Sequence, residues 1–152
     1  MAILNNESGR YAANFVQVCR GPAMSPDFKK MYDSFATRIL WMDGDVIPGA
    51  FQMNTAWYSA VPSRDPVFTA HVHEDADELV GFFSSDPSNP YDLGGEILFT
   101  FDGEEHLLTR STMIFVPAGI VHNPMRILRV DRPIFHFSVI NKSRYEAEGM
   151  YR

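Results

Sequence analysis

The stretch HVHEDADELVGF, from His71 to Phe82, decides how this chain is read. Two histidines stand one residue apart, and a cluster of acids follows them. On a strand, residues i and i+2 point to the same face, about 7 Å apart along the chain. The residues before it, DPVFTAHVH from Asp65, alternate well, with Val67, Thr69, His71 and His73 on one face. Two imidazoles so placed chelate one ion where their face is concave, and a sheet closed into a barrel supplies that concavity. Glu78 opens the apolar run ELVGFF and so begins the next strand. If that strand runs antiparallel to the first, Glu78 returns to the level of the histidines. Glu74, Asp75 and Asp77 are expected to face solvent or to steer cations toward the mouth.

The texture around this stretch is that of an all-β chain. ELVGFF, EILFTFDGEEHLL, TMIFVPAG, MRILRV and PIFHFSVI follow one another, each short and bounded by Gly, Pro, Asp or Ser. Asp102-Gly103 is a tight-turn signal between two strands. Many short strands with turns between them predict a sandwich or barrel. An earlier segment, GAFQMNTAWYSAV, is rich in strand formers, and only one of its alternations can face inward: Gln52, Asn54 and Tyr58, or Met53 and Trp57. The N-terminal part differs. Residues 1–24 read as an irregular arm. In SPDFKKMYDSFATRIL, Ser25 is an N-cap candidate, Pro26 suits the first helical position and Asp27 suits the positive helix end. Phe28, Met31, Tyr32, Phe35 and Ile39 recur at helical spacing. The expected organisation is an arm and short helix over 1–40, packed on the barrel or on a partner, and a barrel over 41–152.

Composition sets the outer bounds. With 152 residues, 45% apolar and 21% charged, the chain fits one ordinary globular domain. A net charge of -6 argues against a nucleic-acid binder, which needs clustered Lys and Arg. Arg110, Arg126, Arg129 and Arg132 are broken up by Pro133 and apolar residues and read as scattered strand and turn positions. Cys19 is the only cysteine, so neither an intrachain disulfide nor a cysteine-based zinc knuckle is available. The start, MAILNNESGR, has no long apolar run, so neither a signal peptide nor a membrane span is expected, and the expected compartment is the cytoplasm.

A further ligand candidate lies in FVPAGIVHNP. Pro117 and Gly119 make a rigid turn, and His122 begins the strand after it. With this element the chain resembles the cupin superfamily, the small jelly-roll barrels. HVHEDADE fits the HXH(X)4E core of the first cupin motif, and PAGIVH fits PXG(X)2H of the second. Asp65, Ser85, Ser111 and Arg126 stand where the motifs usually have Gly, Gly, Gly and Asn; these positions shape turns and are not ligands. The resemblance covers residues 45–140 and implies a single jelly-roll barrel.

By that resemblance His71, His73, Glu78 and His122 bind one divalent transition metal. Three imidazoles and a carboxylate suit Fe, Mn, Ni, Zn or Cu without choosing among them. Candidate catalytic residues are Glu78, Arg126 and His136. Arg126, four residues beyond His122, shares its facing on an extended strand and would clamp a substrate oxygen there; the alternative is an Arg at the mouth paired to a surface acid. His136 shares a face with Ile134 and Ser138, either as a general base or as a hydrogen-bonded core or surface histidine. The implied function is a metal-dependent enzyme acting on a small oxygenated organic substrate by Lewis-acid chemistry, of the isomerase, lyase or decarboxylase type. The alternatives are an Fe(II)-dependent dioxygenase and a non-catalytic metal- or ligand-binding module. The apolar stripe of the helix, together with family analogy, points to a homodimer.

Overall fold

The computed structural model of the chain describes residues 9–145. The arm residues 1–8 and the end of the expected barrel segment, 146–152, lie outside them. Among the described residues, eight strands form two antiparallel sheets. The strands are β1 (Ala36–Met42), β2 (Gln52–Tyr58), β3 (Glu78–Phe83), β4 (Asp92–Phe101), β5 (Glu104–Arg110), β6 (Thr112–Val116), β7 (His122–Val130) and β8 (Ile134–Ile140). The larger sheet has the order β1-β2-β8-β3-β6 and the smaller β5-β4-β7. This is the expected all-β jelly roll.

Local chemistry accounts for the turns and the facing. Asp102 and Gly103 both have positive φ, 47° and 82°, as a two-residue hairpin turn between β4 and β5 requires. In β2 the inward alternation is Gln52, Asn54, Ala56 and Tyr58, each buried, while Met53 is exposed. Between the sheets, Tyr58, Phe82, Leu93, Ile97 and Ile134 are fully buried in one continuous core. Each such side chain contributes about 1.5–3 kcal/mol relative to exposure.

The expected helix is shorter than its apolar spacing. It runs over α1 (Pro26–Asp33), with the Ser25 hydroxyl accepting from the Phe28 N–H at 3.2 Å. Ser34 ends it, returning both its N–H and its hydroxyl to the Met31 carbonyl. Phe35 and Ile39 therefore lie beyond the helix, and the sheet begins at Ala36, not at residue 41. Tertiary pairing overrides the helical spacing: ATRILWM is rich in strand formers and lies along the free edge of β2. The helical stripe meets this chain's own barrel. Phe28, Met31 and Tyr32 are buried, with Phe35 packed edge-on to Tyr32 and against Tyr58. The stripe thus gives no reason for a homodimer.

Residues 66–73 also depart from expectation. They form no regular strand; single bridges tie Phe68 to Met125 and His71 to His122. β3 does not pair with this segment but lies between β6 and β8. Glu78 reaches the level of the histidines by a different route from the expected hairpin.

Candidate metal centre

Backbone hydrogen bonds fasten three ligand-bearing segments together. His71 and His122 sit directly opposite and exchange both N–H···O bonds at 3.0 Å. Gly119, at φ 80°, donates its N–H to the His73 carbonyl at 2.8 Å. The glycine of the PAGIVH turn is thus needed both for its left-handed backbone and for its close approach to the HxH segment. Glu78 starts β3, and Asp77 just before it braces both neighbours. Its carboxylate accepts from the Ala118 N–H at 2.9 Å and from the Asn141 side-chain amide at 3.3 Å. The Asn141 side-chain oxygen in turn accepts from the Asp77 N–H at 3.0 Å. Asp77 is therefore a tie between loops, contrary to the expectation that it faces solvent. Glu74 and Asp75 are exposed, and Asp75 pairs with Lys142.

The result is a convergent donor group. One ligand atom from each of His71, His73, Glu78 and His122 lies within 4.8 Å of the others. Atoms each about 2.1 Å from one ion are separated by up to about 4.2 Å, so small side-chain adjustments complete the fit. His73, Glu78 and His122 are buried. The tautomers are set from outside: Nδ1–H of His71 donates to the Thr69 carbonyl at 2.9 Å, and Nδ1–H of His122 to the Ile120 carbonyl at 3.1 Å. Their Nε2 lone pairs are left facing inward, the arrangement that orients metal-bound imidazoles. Nε2 of His73, Nε2 of His122 and Oε2 of Glu78 are buried without a hydrogen-bond partner. Nε2 of His122 lies only 2.7 Å from that oxygen, and Nε2 of His73 3.4 Å from it. Lone pairs gathered so closely around a carboxylate call for a proton or a cation between them, and the donor set is one that binds divalent transition metals.

The electrostatics agree. Burial works to raise the Glu78 carboxyl, but the imidazoles of His122 and His73 beside it outweigh burial and hold it down to about 2. Burial works to lower the His122 imidazole, but Glu78 and the Ile120 carbonyl raise it above its ordinary value. His71 is pushed down to about 4, mainly by burial. Its Nε2 accepts from the Tyr145 hydroxyl at 3.1 Å, and the Tyr145 ring lies 5.1 Å from that of His73.

A small pocket of about 40 Å³, partly open to solvent, runs inward from Glu78 past Asn54, Ser138 and His136 between the sheets. His136 faces it from β8, stacked between Tyr58 and Phe82 at 4.7 and 5.0 Å, with Nδ1–H donating to the Gly81 carbonyl at 3.0 Å. Burial pushes its imidazole down to about 4, so the ring is neutral near pH 7. Arg126 is not in the pocket. It is exposed and pairs with Asp65 at 3.5 Å. The reason is a one-residue bulge: Phe99 pairs with Met125 and Phe101 with His122, so β7 spends three residues where β4 spends two. Asn123, at φ 64°, absorbs it. His122, Met125 and Ile127 are buried in consequence, and Arg126 turns outward. His106 is exposed on β5. Sequence reasoning missed Asp77 as a tie and Tyr145 beside the histidines. No local pattern marks either.

No family model matches this sequence, and no curated protein matches it. Solved structures do. A recombinant oxalate oxidase in complex with glycolate is similar over 87% of this chain and 61% of its own, with 14% identity and a TM-score of 0.51. A sugar phosphate isomerase of the cupin superfamily from Silicibacter pomeroyi covers 82% and 67%, with 19% identity and a TM-score of 0.48. A predicted oxalate decarboxylase from Thermotoga maritima covers 69% and 76%, with 15% identity and a TM-score of 0.47. This chain thus spans less than two thirds of the oxalate oxidase. At such identities the likeness speaks to fold alone. Together with the sheet order, the likeness to the oxalate oxidase shows the fold, the jelly roll that the cupin resemblance implies. Within that fold it carries a His71–His73–Glu78–His122 group able to hold a metal ion. Among the described residues, no helix is long and apolar enough to cross a membrane.

Proposed function

We propose that this chain is a metal-dependent cupin enzyme that acts on a small oxygenated organic molecule by Lewis-acid chemistry, of the isomerase, lyase or decarboxylase type. The observation that carries the reading is the donor set: Nε2 of His73, Nε2 of His122 and Oε2 of Glu78 are buried without a hydrogen-bond partner and converge with His71 at the head of a pocket between the sheets. His71, His73, Glu78 and His122 would hold one divalent ion. When bound, such an ion polarises a carbonyl or carboxylate oxygen and stabilises charge that develops on it.

The chain's own residues do the rest. The Thr69 and Ile120 carbonyls keep two imidazoles in the ligating tautomer. Tyr58, Phe82 and Phe99 give the inner pocket an apolar wall. His136, neutral and fixed by Gly81, serves as a hydrogen-bond acceptor for a substrate hydroxyl. An imidazole with a pKa of about 4 is a weak proton acceptor at neutral pH, so this role replaces the general base expected of it. The Tyr145 hydroxyl stands at the mouth as a donor.

The test is metal content after anaerobic purification, followed by turnover of oxygenated small molecules with and without dioxygen. Stoichiometric metal, lost in His73→Ala, with turnover that ignores oxygen is the expected result. Strict dependence on oxygen would replace this reading with the dioxygenase. Tight ligand binding without turnover would replace it with a binding module. Metal content that is unchanged in His73→Ala would end all three.

A further inference from the structure

The two sheets differ on their outward faces. In the smaller sheet the outward positions include Glu96, Glu105, Arg126 and Arg129, as a water-facing surface requires. In the larger sheet the register keeps the pocket-facing residues of the five strands in step, so the residues between them share the outer face. There Trp57 stands beside Phe135, and Phe135 beside Phe83. Phe137 stands beside Gly81, and Gly81 beside Met113, with Phe115 two residues further along β6. Among the described residues, no outward position of these five strands carries a charge. The hydroxyls on this face are those of Thr37 and Thr55. That of Thr55 is already bonded to Leu40, accepting from its N–H at 3.1 Å and donating to its carbonyl at 3.2 Å.

The face is both level and large. The rings of Phe83 and Phe137 stack 5.7 Å apart and lean over Gly81, where a Cβ would meet them at 2.6 and 2.5 Å. Trp57 packs edge-on to Phe135 at 5.5 Å beside them. Toward the β6 edge, Met113 and Phe115 are 65% and 59% exposed. An antiparallel sheet with one face in water alternates apolar and polar residues, whereas a sheet apolar on both faces is covered on both. The outward side chains leave roughly 700 Å² exposed, above the about 300–600 Å² of the largest patch on a typical monomer and near the about 800 Å² per partner of a standard interface. A second copy of this chain fits best. Each copy is at -6, so like charges oppose self-association wherever charged surfaces meet. On the uncharged face two copies meet without that repulsion, and a two-fold contact needs only a patch that matches itself. The same net charge opposes an anionic membrane surface.

We propose that the chain forms a two-fold dimer, sheet face to sheet face, through the outer side of β1-β2-β8-β3-β6, with Phe83, Phe135 and Phe137 at the centre and Met113 and Phe115 toward one side. The proposal does not rest on the metal reading, because Glu78 points to the other side of β3 and His122 belongs to the other sheet.

The experiment is sedimentation velocity on the full chain. At about 50 μM the wild type sediments with twice the chain mass, and sodium chloride at about 0.5 M leaves it so, as an uncharged interface requires. The double variant Met113→Lys, Phe115→Lys sediments as a monomer at the same concentration. Leu107→Lys places the same charge on a residue 56% exposed on the smaller sheet, and it stays dimeric. If the double variant does not fold, the wild type decides by hydroxyl-radical footprinting at high and low concentration. Met113 and Phe115 are then protected at the high concentration, while Leu107 and Leu128 react equally at both. A wild type that is monomeric at about 50 μM overturns the proposal. If that monomer floats with vesicles of phosphatidylcholine and phosphatidylserine, the face belongs to a membrane instead. A dimer that salt disperses, or that Leu107→Lys breaks and the double variant does not, also overturns it.

Discussion

At the scale of single residues, two buried strand histidines, one on each sheet, do opposite things. His122 faces a carboxylate and is raised above its ordinary value, whereas His136 is walled by aromatic rings and pushed down to about 4. For His136 the folded value lies below the ordinary 6.5, so the folded chain holds fewer protons between the two. Stability is therefore full above about pH 6.5 and falls as pH drops toward 4, by up to about 3 kcal/mol from this group. Urea midpoints of wild type and His136→Gln at pH 7.5 and 4.5 check this: the variant loses less stability on acidification. A variant that loses as much as wild type would show that His136 is not the responsible group. Sequence could place His136 on the right face by alternation. It could not show the Tyr58 and Phe82 rings on either side, because those partners come from β2 and β3.

At the scale of elements, the site depends on how β4 and β7 pair. Their ladder is interrupted, and the shift near Asn123 sends His122 in and Arg126 out. Gly95 lies in the same ladder, opposite Val130. A Cβ there would meet the Arg129 carbonyl oxygen at 2.4 Å, which no real contact allows, and the Ile134 side chain at 2.9 Å. Gly95→Ala should therefore destabilise the protein by about 1–3 kcal/mol, by the logic of overpacking. Denaturant midpoints measure it. An unchanged midpoint would mean that β4 and β7 are not held at this spacing.

At the scale of the whole molecule, the four donors come from three stretches of chain: residues 71–73, the start of β3 and the start of β7. An ion held by all of them ties the two sheets together at one end. It also binds the folded form alone, so it raises apparent stability by mass action, by about 2.7 kcal/mol at a hundredfold excess over Kd. Chelator should thus lower the melting temperature of the metal-loaded protein by several degrees, and added metal should restore it. A melting temperature indifferent to both, in protein of measured metal content, would place the ion elsewhere.

The sequence by itself determined the strand regions from Glu78 onward, the Asp102-Gly103 hairpin and the grouping of His71, His73, Glu78 and His122. These rest on local chemistry: period-two alternation, turn residues with positive φ, and two short motifs whose spacings reflect backbone geometry. Tertiary structure alone decided that Ala36–Met42 is an edge strand, that Asp77 ties two loops and that Arg126 faces solvent. Each of these is set by a partner far away in sequence or by one extra residue in a ladder. A single bulge reverses every facing beyond it, and alternation read along one strand cannot reveal its neighbour.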